Sequence, residues 1–322
     1  MTFMKKKEIL ILNTTHIGTT LCDFPLIKRV RLDYPADVAN ITVLLARRNG
    51  VLKKYMEKEF NCTVEVMQHN FTGKSRYAEI LLQIKSRWKF FDLGICGLEP
   101  RKSDHILLWC LSKKTIAYIE DNWHGRLITN GKRFVKDNNR HQSDLSCGVY
   151  SDKKVCSKDW PKLNLPVASK CGGVPSIYIS THNNRPNSSI NLDKLVDVLS
   201  FVFGKRQFCL VVNGPAEVDF PLNSLKEKIG CEVRYAVTKN FDAFLHLLNE
   251  CDLVFVGDGG VSHVAAWLDK PSVVLFGETL PEQWMPMSNK VEFLFDPKTV
   301  NNIKNEEIAT KIIKQLDSLP AG

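Results

Sequence analysis

Apolar residues fall into short runs along the chain, and these alternate with segments of helical spacing. Residues 8–13 (EILILN) form the first run, and residues 14–18 break it. From 21 to 32, Leu21, Phe24, Ile27, Val30 and Leu32 recur close to helical spacing. Tyr34-Pro35 ends that segment, because the residue before a proline is driven out of the α region. Strands are expected at 41–45, 62–66, 90–95 and 115–119, with helical stretches between several of them. Such alternation argues a mostly parallel sheet with crossover helices. Residues 122–146 break the pattern: they are polar, basic and poorly periodic, and read as a loop or lid. Residues 160–175 hold three prolines and two glycines and read as a linker.

The pattern then restarts. Strands are expected at 176–180, 208–213, 232–236, 253–256 and 272–276. Helices are expected at 192–203, 222–229, 241–249 and 262–268, with a closing helix over 304–319. The expectation is an α/β chain of two domains, 1–165 and 166–322. A cleft between two such halves is a common ligand site.

Composition narrows the class. The chain has 322 residues, 44% of them apolar and 25% charged, as in a soluble globular protein. Its net charge of +9 suits anionic partners or reflects surface lysines alone. Ten cysteines are spread out without a Cys-x-x-Cys pair, which argues against zinc and for reduced packing thiols in a cytoplasmic setting. The apolar run 9–12 is too short for a signal-peptide core, and no stretch approaches a membrane span.

The densest chemistry lies in residues 253–278, LVFVGDGGVSHVAAWLDKPSVVLFGE. In open α/β sheets, ligands sit beyond the carboxyl ends of the strands. Here a bare apolar strand ends at Gly257-Asp258-Gly259-Gly260 and a helix begins, offering backbone N–H groups suited to a phosphate. His263, in the first helical turn, either donates to a phosphate oxygen or packs on the sheet. Asp258 either accepts from sugar hydroxyls or caps the helix. Glu217, in the Gly-Pro-Ala-Glu turn after the 208–213 strand, accepts from ribose hydroxyls or is an ordinary turn acid. Gly277-Glu278-Thr279 follows the next strand end. The glycine spacing is not the dinucleotide fingerprint, and NTTHIGTT after the first strand does not supply one either. An oxidoreductase or epimerase of the Rossmann type is therefore disfavoured. A nucleic-acid binder has only the net charge in its favour.

The segment FVGDGGVSHVAAWLDKPSVVLFGETLPEQWMP resembles the signature of bacterial lipopolysaccharide heptosyltransferases, glycosyltransferase family 9. The matching positions are Asp258, Gly259, Gly260, His263, Ala265, Ala266, Lys270, Pro271, Leu275, Phe276, Gly277, Trp284 and Pro286. NGPAEVD fits a second family element loosely, and HIGTTLCDFPLIKRVRLDYP fits the family's opening glycine loop. The resemblance implies a GT-B fold, two Rossmann-like domains facing each other across a cleft. It implies a nucleotide-diphosphate sugar donor, usually ADP-heptose, on the C-terminal domain and a lipopolysaccharide core acceptor on the N-terminal one. It also implies inversion without a metal or other cofactor, and the chain holds no Asp-x-Asp pair. The donor-binding set so implied is Asp258, Gly259, Gly260, Val261, His263, Glu217, Thr181, Arg185 and Glu278. Peripheral contact with the inner face of the cytoplasmic membrane follows from such an acceptor.

The sequence departs from the family at two places. Thr19 stands where the family carries its candidate base, an Asp after the loop glycine. Asp23, one helical turn on, and His16, before the glycine, are the candidates to replace it; Asp23 is equally a favourable acid near a helix start. The family's Lys near the start of the second half is also absent, and Arg185 is the nearest cation. Basic residues Lys132, Arg133, Lys136, Arg140 and His141 face an anionic acceptor or form a solvated loop. The departures leave two readings: a transferase with an altered donor or acceptor, or a nucleotide-sugar-binding protein that has lost turnover.

Overall fold

A computed structural model describes residues 5–69, 73–98, 100–133, 140–166, 173–181, 183–215 and 221–320. The chain divides into two compact units, Met1–Pro161 and Lys162–Gly322, slightly ahead of the expected division after 165. Trp160 belongs to unit 1, where its indole N–H donates to the Ser143 hydroxyl at 3.2 Å. Lys162 and Leu163 are already tied into unit 2, through Asp269 and the Trp267 carbonyl.

Unit 1 is one six-stranded sheet. Its strands are β1 (Lys7–Asn13), β2 (Ala39–Leu45), β3 (Thr63–Val66), β4 (Phe91–Cys96), β5 (Ser112–Ile119) and β6 (Asn130–Arg133). The order is β3-β2-β1-β4-β5-β6, and the described pairings are parallel. Unit 2 repeats the plan with β7 (Ser176–Ser180), β8 (Cys209–Asn213), β9 (Val233–Ala236), β10 (Leu253–Gly257), β11 (Ser272–Phe276) and β12 (Val291–Phe295). Its order, β12-β11-β10-β7-β8-β9, is the same sequence of strands counted from the other edge. Both units are therefore doubly wound, and each has a topological switch point, at β1/β4 and at β7/β10.

The central strands are continuous apolar runs because helices cover both sheet faces. Ile9, Leu10, Ile11 and Leu12 in β1 and Val273, Val274, Leu275 and Phe276 in β11 are all buried. Helices Leu192–Phe203 and Asn305–Asp317 pack together on unit 2, burying Val198, Leu199, Val202, Ile308 and Ile312.

Three local outcomes differ from the sequence reading. Residues 122–146 hold edge strand β6 and the start of helix Gln142–Tyr150, rather than one loop. Edge strand β12 was not expected, since its residues are only half buried. The helix expected over 21–32 is two helices, Ile17–Cys22 and Phe24–Asp33, with Asp23 between them. Pro25 sits in the first turn of the second helix, and without an N–H it cannot continue the first.

Candidate functional site

At the β7/β10 switch point, Asp258 follows β10 and is only 1% exposed. Its Oδ2 accepts from the Arg185 guanidinium and from the Thr279 hydroxyl. Arg185 NH1 also lies 3.4 Å from Thr279 Oγ1, and the guanidinium lies over the Trp284 ring, 5.9 Å from its centroid. Burial raises the Asp258 carboxyl pKa, against the pull of Arg185 and Thr279. Asp258 does not cap the following helix, as one sequence reading had it; its Oδ2 holds Arg185.

The segment that carries Arg185 is fixed by two glycines. A Cβ at Gly257 would lie 1.8 Å from the Ser188 carbonyl oxygen, and one at Gly277 would lie 1.9 Å from that of Asn187. Residues 183–190 thus lie directly on the ends of β10 and β11. The Gly277 N–H donates to the buried Ser188 hydroxyl at 3.2 Å, and Asn183 Nδ2 donates to the Asp258 carbonyl at 3.2 Å. Asn183 Oδ1 accepts from the Arg185 N–H at 3.0 Å. A pocket of about 120 Å³ opens beside this segment, lined in part by Thr181, Asn183, Ser188, Phe255 and Gly257.

Helix Gly260–Trp267 begins next to Asp258, with Gly259 as its N-cap and no side chain capping it. Gly259, Gly260 and Val261 remain partly exposed. His263 is 2% exposed and lies in the packed part of the helix. Thr181 follows β7, and its hydroxyl donates to the Asn213 carbonyl at 3.3 Å. Glu278 is exposed after β11. Glu217 lies outside the described residues.

At the β1/β4 switch point sits Asp23, 3% exposed. Asn13 Nδ2 donates to its Oδ2 at 2.5 Å, and the Ser146 hydroxyl donates to its Oδ1. The Asn13 amide is itself oriented, since its Oδ1 accepts from Thr20 at 2.7 Å and Thr20 accepts from Asn49 at 2.7 Å. Gly97, after β4, leaves room for the carboxyl: a Cβ there would lie 2.7 Å from Asp23 Oδ1. Burial lifts the Asp23 pKa from the ordinary 3.8 to about 7, against the two hydrogen bonds. Thr19 is half buried and His16 exposed. The His16 Nδ1 lies 3.0 Å from Arg48 NH1. Arginine can only donate, so a neutral His16 carries its proton on Nε2 and has no basic nitrogen left over.

The expected acceptor residues are tied to one helix, Gln142–Tyr150. His141 is its N-cap and accepts from the Ser143 N–H at 3.1 Å. Lys132 donates to the Gly148 carbonyl at 2.7 Å and to Asp152 at 2.9 Å. Arg140 is exposed, with NH2 3.4 Å from the Asp144 carbonyl. Lys136 lies outside the described residues. Sequence reading missed the part played by Asn183, and it also missed a second Arg–Asp–Thr trio in unit 1. There Arg101 donates to Thr14 Oγ1 at 2.9 Å and to Asp104 Oδ2 at 3.3 Å, and Thr14 donates to Asp104 Oδ1 at 2.9 Å. No signal short of tertiary structure joins positions that far apart.

Among the described residues, no group of three or more His, Cys, Asp or Glu is placed to hold a metal ion. No disulfide joins the described cysteines.

Each doubly wound unit thus carries a buried carboxylate at its switch point, and the chain is similar to proteins of glycosyltransferase family 9. The family model for glycosyltransferase family 9 (heptosyltransferase) matches residues 222–313, which include Asp258, Thr279 and Trp284. No curated protein sequence matches the chain. A glycosyl transferase family 9 protein from Veillonella parvula has a TM-score of 0.77 at 16% identity, covering 98% of this chain and 98% of that one. ADP-heptose lipopolysaccharide heptosyltransferase II of E. coli has a TM-score of 0.72 at 16% identity, covering 96% and 98%. E. coli heptosyltransferase WaaC, solved with ADP, has a TM-score of 0.71 at 13% identity, covering 96% and 99%. The chain has the GT-B type fold of these proteins and resembles the heptosyltransferase family.

Proposed function

We propose that the chain is an inverting, metal-independent glycosyltransferase whose unit 2 binds a nucleotide-diphosphate sugar, with heptose from ADP-heptose favoured. The acceptor would be a lipopolysaccharide core or related surface glycan. The observation that carries the proposal is Arg185, held on buried Asp258 and Thr279 beside the exposed start of helix Gly260–Trp267. A fixed guanidinium next to the uncapped N–H groups of a helix start suits a diphosphate. The WaaC structure was solved with ADP, which supports the same class of ligand here.

In the transfer, an acceptor hydroxyl oxygen attacks the anomeric carbon and the bond from that carbon to the diphosphate oxygen breaks. The hydroxyl proton passes to a base, and the nucleoside diphosphate leaves with the electron pair. Arg185 and the helix N–H groups would meet the charge that develops on the leaving group. Asp23 is the base in this reading: a pKa of about 7 lets a carboxylate accept a proton at neutral pH without becoming too weak a base.

A second reading, a nucleotide-sugar-binding protein without turnover, is favoured by unit 1. Both Asp23 oxygens are engaged, Thr19 has no basic group, and Arg48 occupies His16 Nδ1. Incubation with a panel of ADP- and UDP-sugars and lipopolysaccharide core acceptors separates the two readings. Acceptor-dependent release of the nucleoside diphosphate supports transfer. Nucleotide binding without release with any pair supports the second reading, and absence of both removes the proposal.

A further inference from the structure

The outer face of helix Ser75–Arg87 in unit 1 is apolar where a solvated helix would be polar. Tyr77 is 67% exposed, Leu81 59% and Trp88, at the helix C-cap, 53%. At 100° per residue these three fall within one narrow stripe, on the side away from buried Glu79 and Gln83. The stripe continues onto exposed Phe90 and Trp109. These last aromatics are held rather than loose. The Trp88 and Trp109 rings meet edge to face at 5.6 Å, and Lys89 Nζ sits 4.4 Å from the Trp109 centroid while donating to the Ser112 carbonyl at 2.9 Å.

The charges that the helix itself sets beside the stripe are basic. Lys74 and Lys85 flank it on one side of the helix, and Arg76 and Arg87 on the other. The helix has one acid, Glu79, which is fully buried and accepts from the His69 N–H at 2.8 Å and from Gln83 at 2.7 Å. The nearby acids Glu65 and Asp92 are paired with Arg87 and Lys113. An apolar stripe of Tyr, Leu and Trp between rows of cations is the composition of a helix that lies in a bilayer interface.

We propose that this face of helix Ser75–Arg87, with its Trp88–Phe90–Trp109 extension, docks the protein on an anionic phospholipid membrane. Tyr and Trp rings settle at the headgroup level, and the flanking lysines meet the negative surface. Among the described residues no helix is long and apolar enough to cross a membrane, so attachment through this face lies in the interface. The Trp88 end of the helix adjoins the start of β4, whereas Asp23 and Gly97 lie beyond its end. Docking through Trp88 therefore leaves the switch-point end of the sheet open. The inference is independent of the nucleotide reading of unit 2.

The test is flotation of the full chain with vesicles of phosphatidylcholine alone, or of phosphatidylcholine and phosphatidylglycerol at about 7:3. The wild type floats with the anionic vesicles and not with the neutral ones. The exposed double variant Tyr77→Ser/Leu81→Ser, and separately Lys74→Glu/Lys85→Glu, each lower the bound fraction by about tenfold or more. Circular dichroism and ADP titration of each variant report the fold and unit 2, so loss of ADP binding with intact flotation strikes only the donor reading. Three results overturn the proposal: a wild type that stays with the soluble fraction, a serine double variant that floats as well as wild type, or a wild-type dimer by light scattering that the serine variant dissociates. The last would assign the face to a second copy of the chain.

Discussion

Arg185 and Asp258 stand 73 positions apart in sequence and form one ion pair, with the carboxylate almost wholly buried and the guanidinium about one-third exposed. The pairing fixes the cation from behind and leaves its outer edge to solvent. Thr279 shares the same carboxylate oxygen, and Trp284 supports the planar face. A bare surface arginine would lose side-chain entropy on meeting a diphosphate; this one is already oriented.

Replacing Asp258 by Asn keeps the shape and removes the charge. The Asn side chain brings two N–H donors toward groups that also donate. Asp258→Asn is expected to lower stability by about 1.5–3 kcal/mol, the worth of hydrogen bonds to a charged group. Urea denaturation monitored by fluorescence measures it. An unchanged midpoint would show that the carboxylate does not hold the site together.

Gly257 is predicted to tolerate no side chain. A Cβ meets a backbone carbonyl oxygen, which cannot rotate away as a side chain can. Gly257→Ala should cost about 1–3 kcal/mol, the range for overpacking a tight contact. It should also weaken ADP binding, because residues 183–190 carry Arg185. Denaturation and ADP titration of the same variant read both effects, and wild-type values in both would refute the close seating of that segment.

Asp23 makes stability depend on pH with a definite sign. Its folded pKa of about 7 lies above the ordinary 3.8, so between these values the folded state holds a proton that the unfolded state has lost. Stability from this group is therefore fully present below pH 3.8 and declines as pH rises to about 7. Asp23→Asn mimics the protonated acid and should lack this slope, making the variant the more stable of the two above pH 7. Denaturation midpoints of both proteins at pH 5 and pH 8 test this, and equal slopes would contradict it. If Asp23 is also the base, the same variant loses transfer.

His263 is packed at 2% exposure. His263→Ala is expected to act on stability, by about 1–3 kcal/mol, more than on ADP affinity. A large loss of affinity in a variant with wild-type melting would restore the direct phosphate contact that its place in the first helical turn suggests.

Much of unit 2 was legible in sequence because its elements obey one period each. Helices Leu192–Phe203 and Leu222–Ile229 and strand β11 fall where the apolar spacing puts them. The edge strands were not legible, for opposite reasons. In β6 the residues NGKR have no apolar alternation, and in β12 the run VEFLF is only half buried. The glycines and Asp258 announced a strand-to-helix junction, and the role of Arg185 was visible only as a nearby cation. Its tether, its seat on Gly257 and Gly277, and the inward turn of Asp23 at a helix break are all tertiary. Local pattern carries no record of which carboxylate a distant guanidinium will meet.

The central claim, that the Arg185–Asp258 clamp of unit 2 binds a nucleoside diphosphate, is tested most directly by calorimetric titration of ADP into the wild type and Arg185→Ala. The account predicts saturable binding to the wild type and a dissociation constant raised at least about tenfold in the variant, a difference of about 1.4 kcal/mol. Equal affinities, or no binding of ADP to a folded wild type, would contradict it.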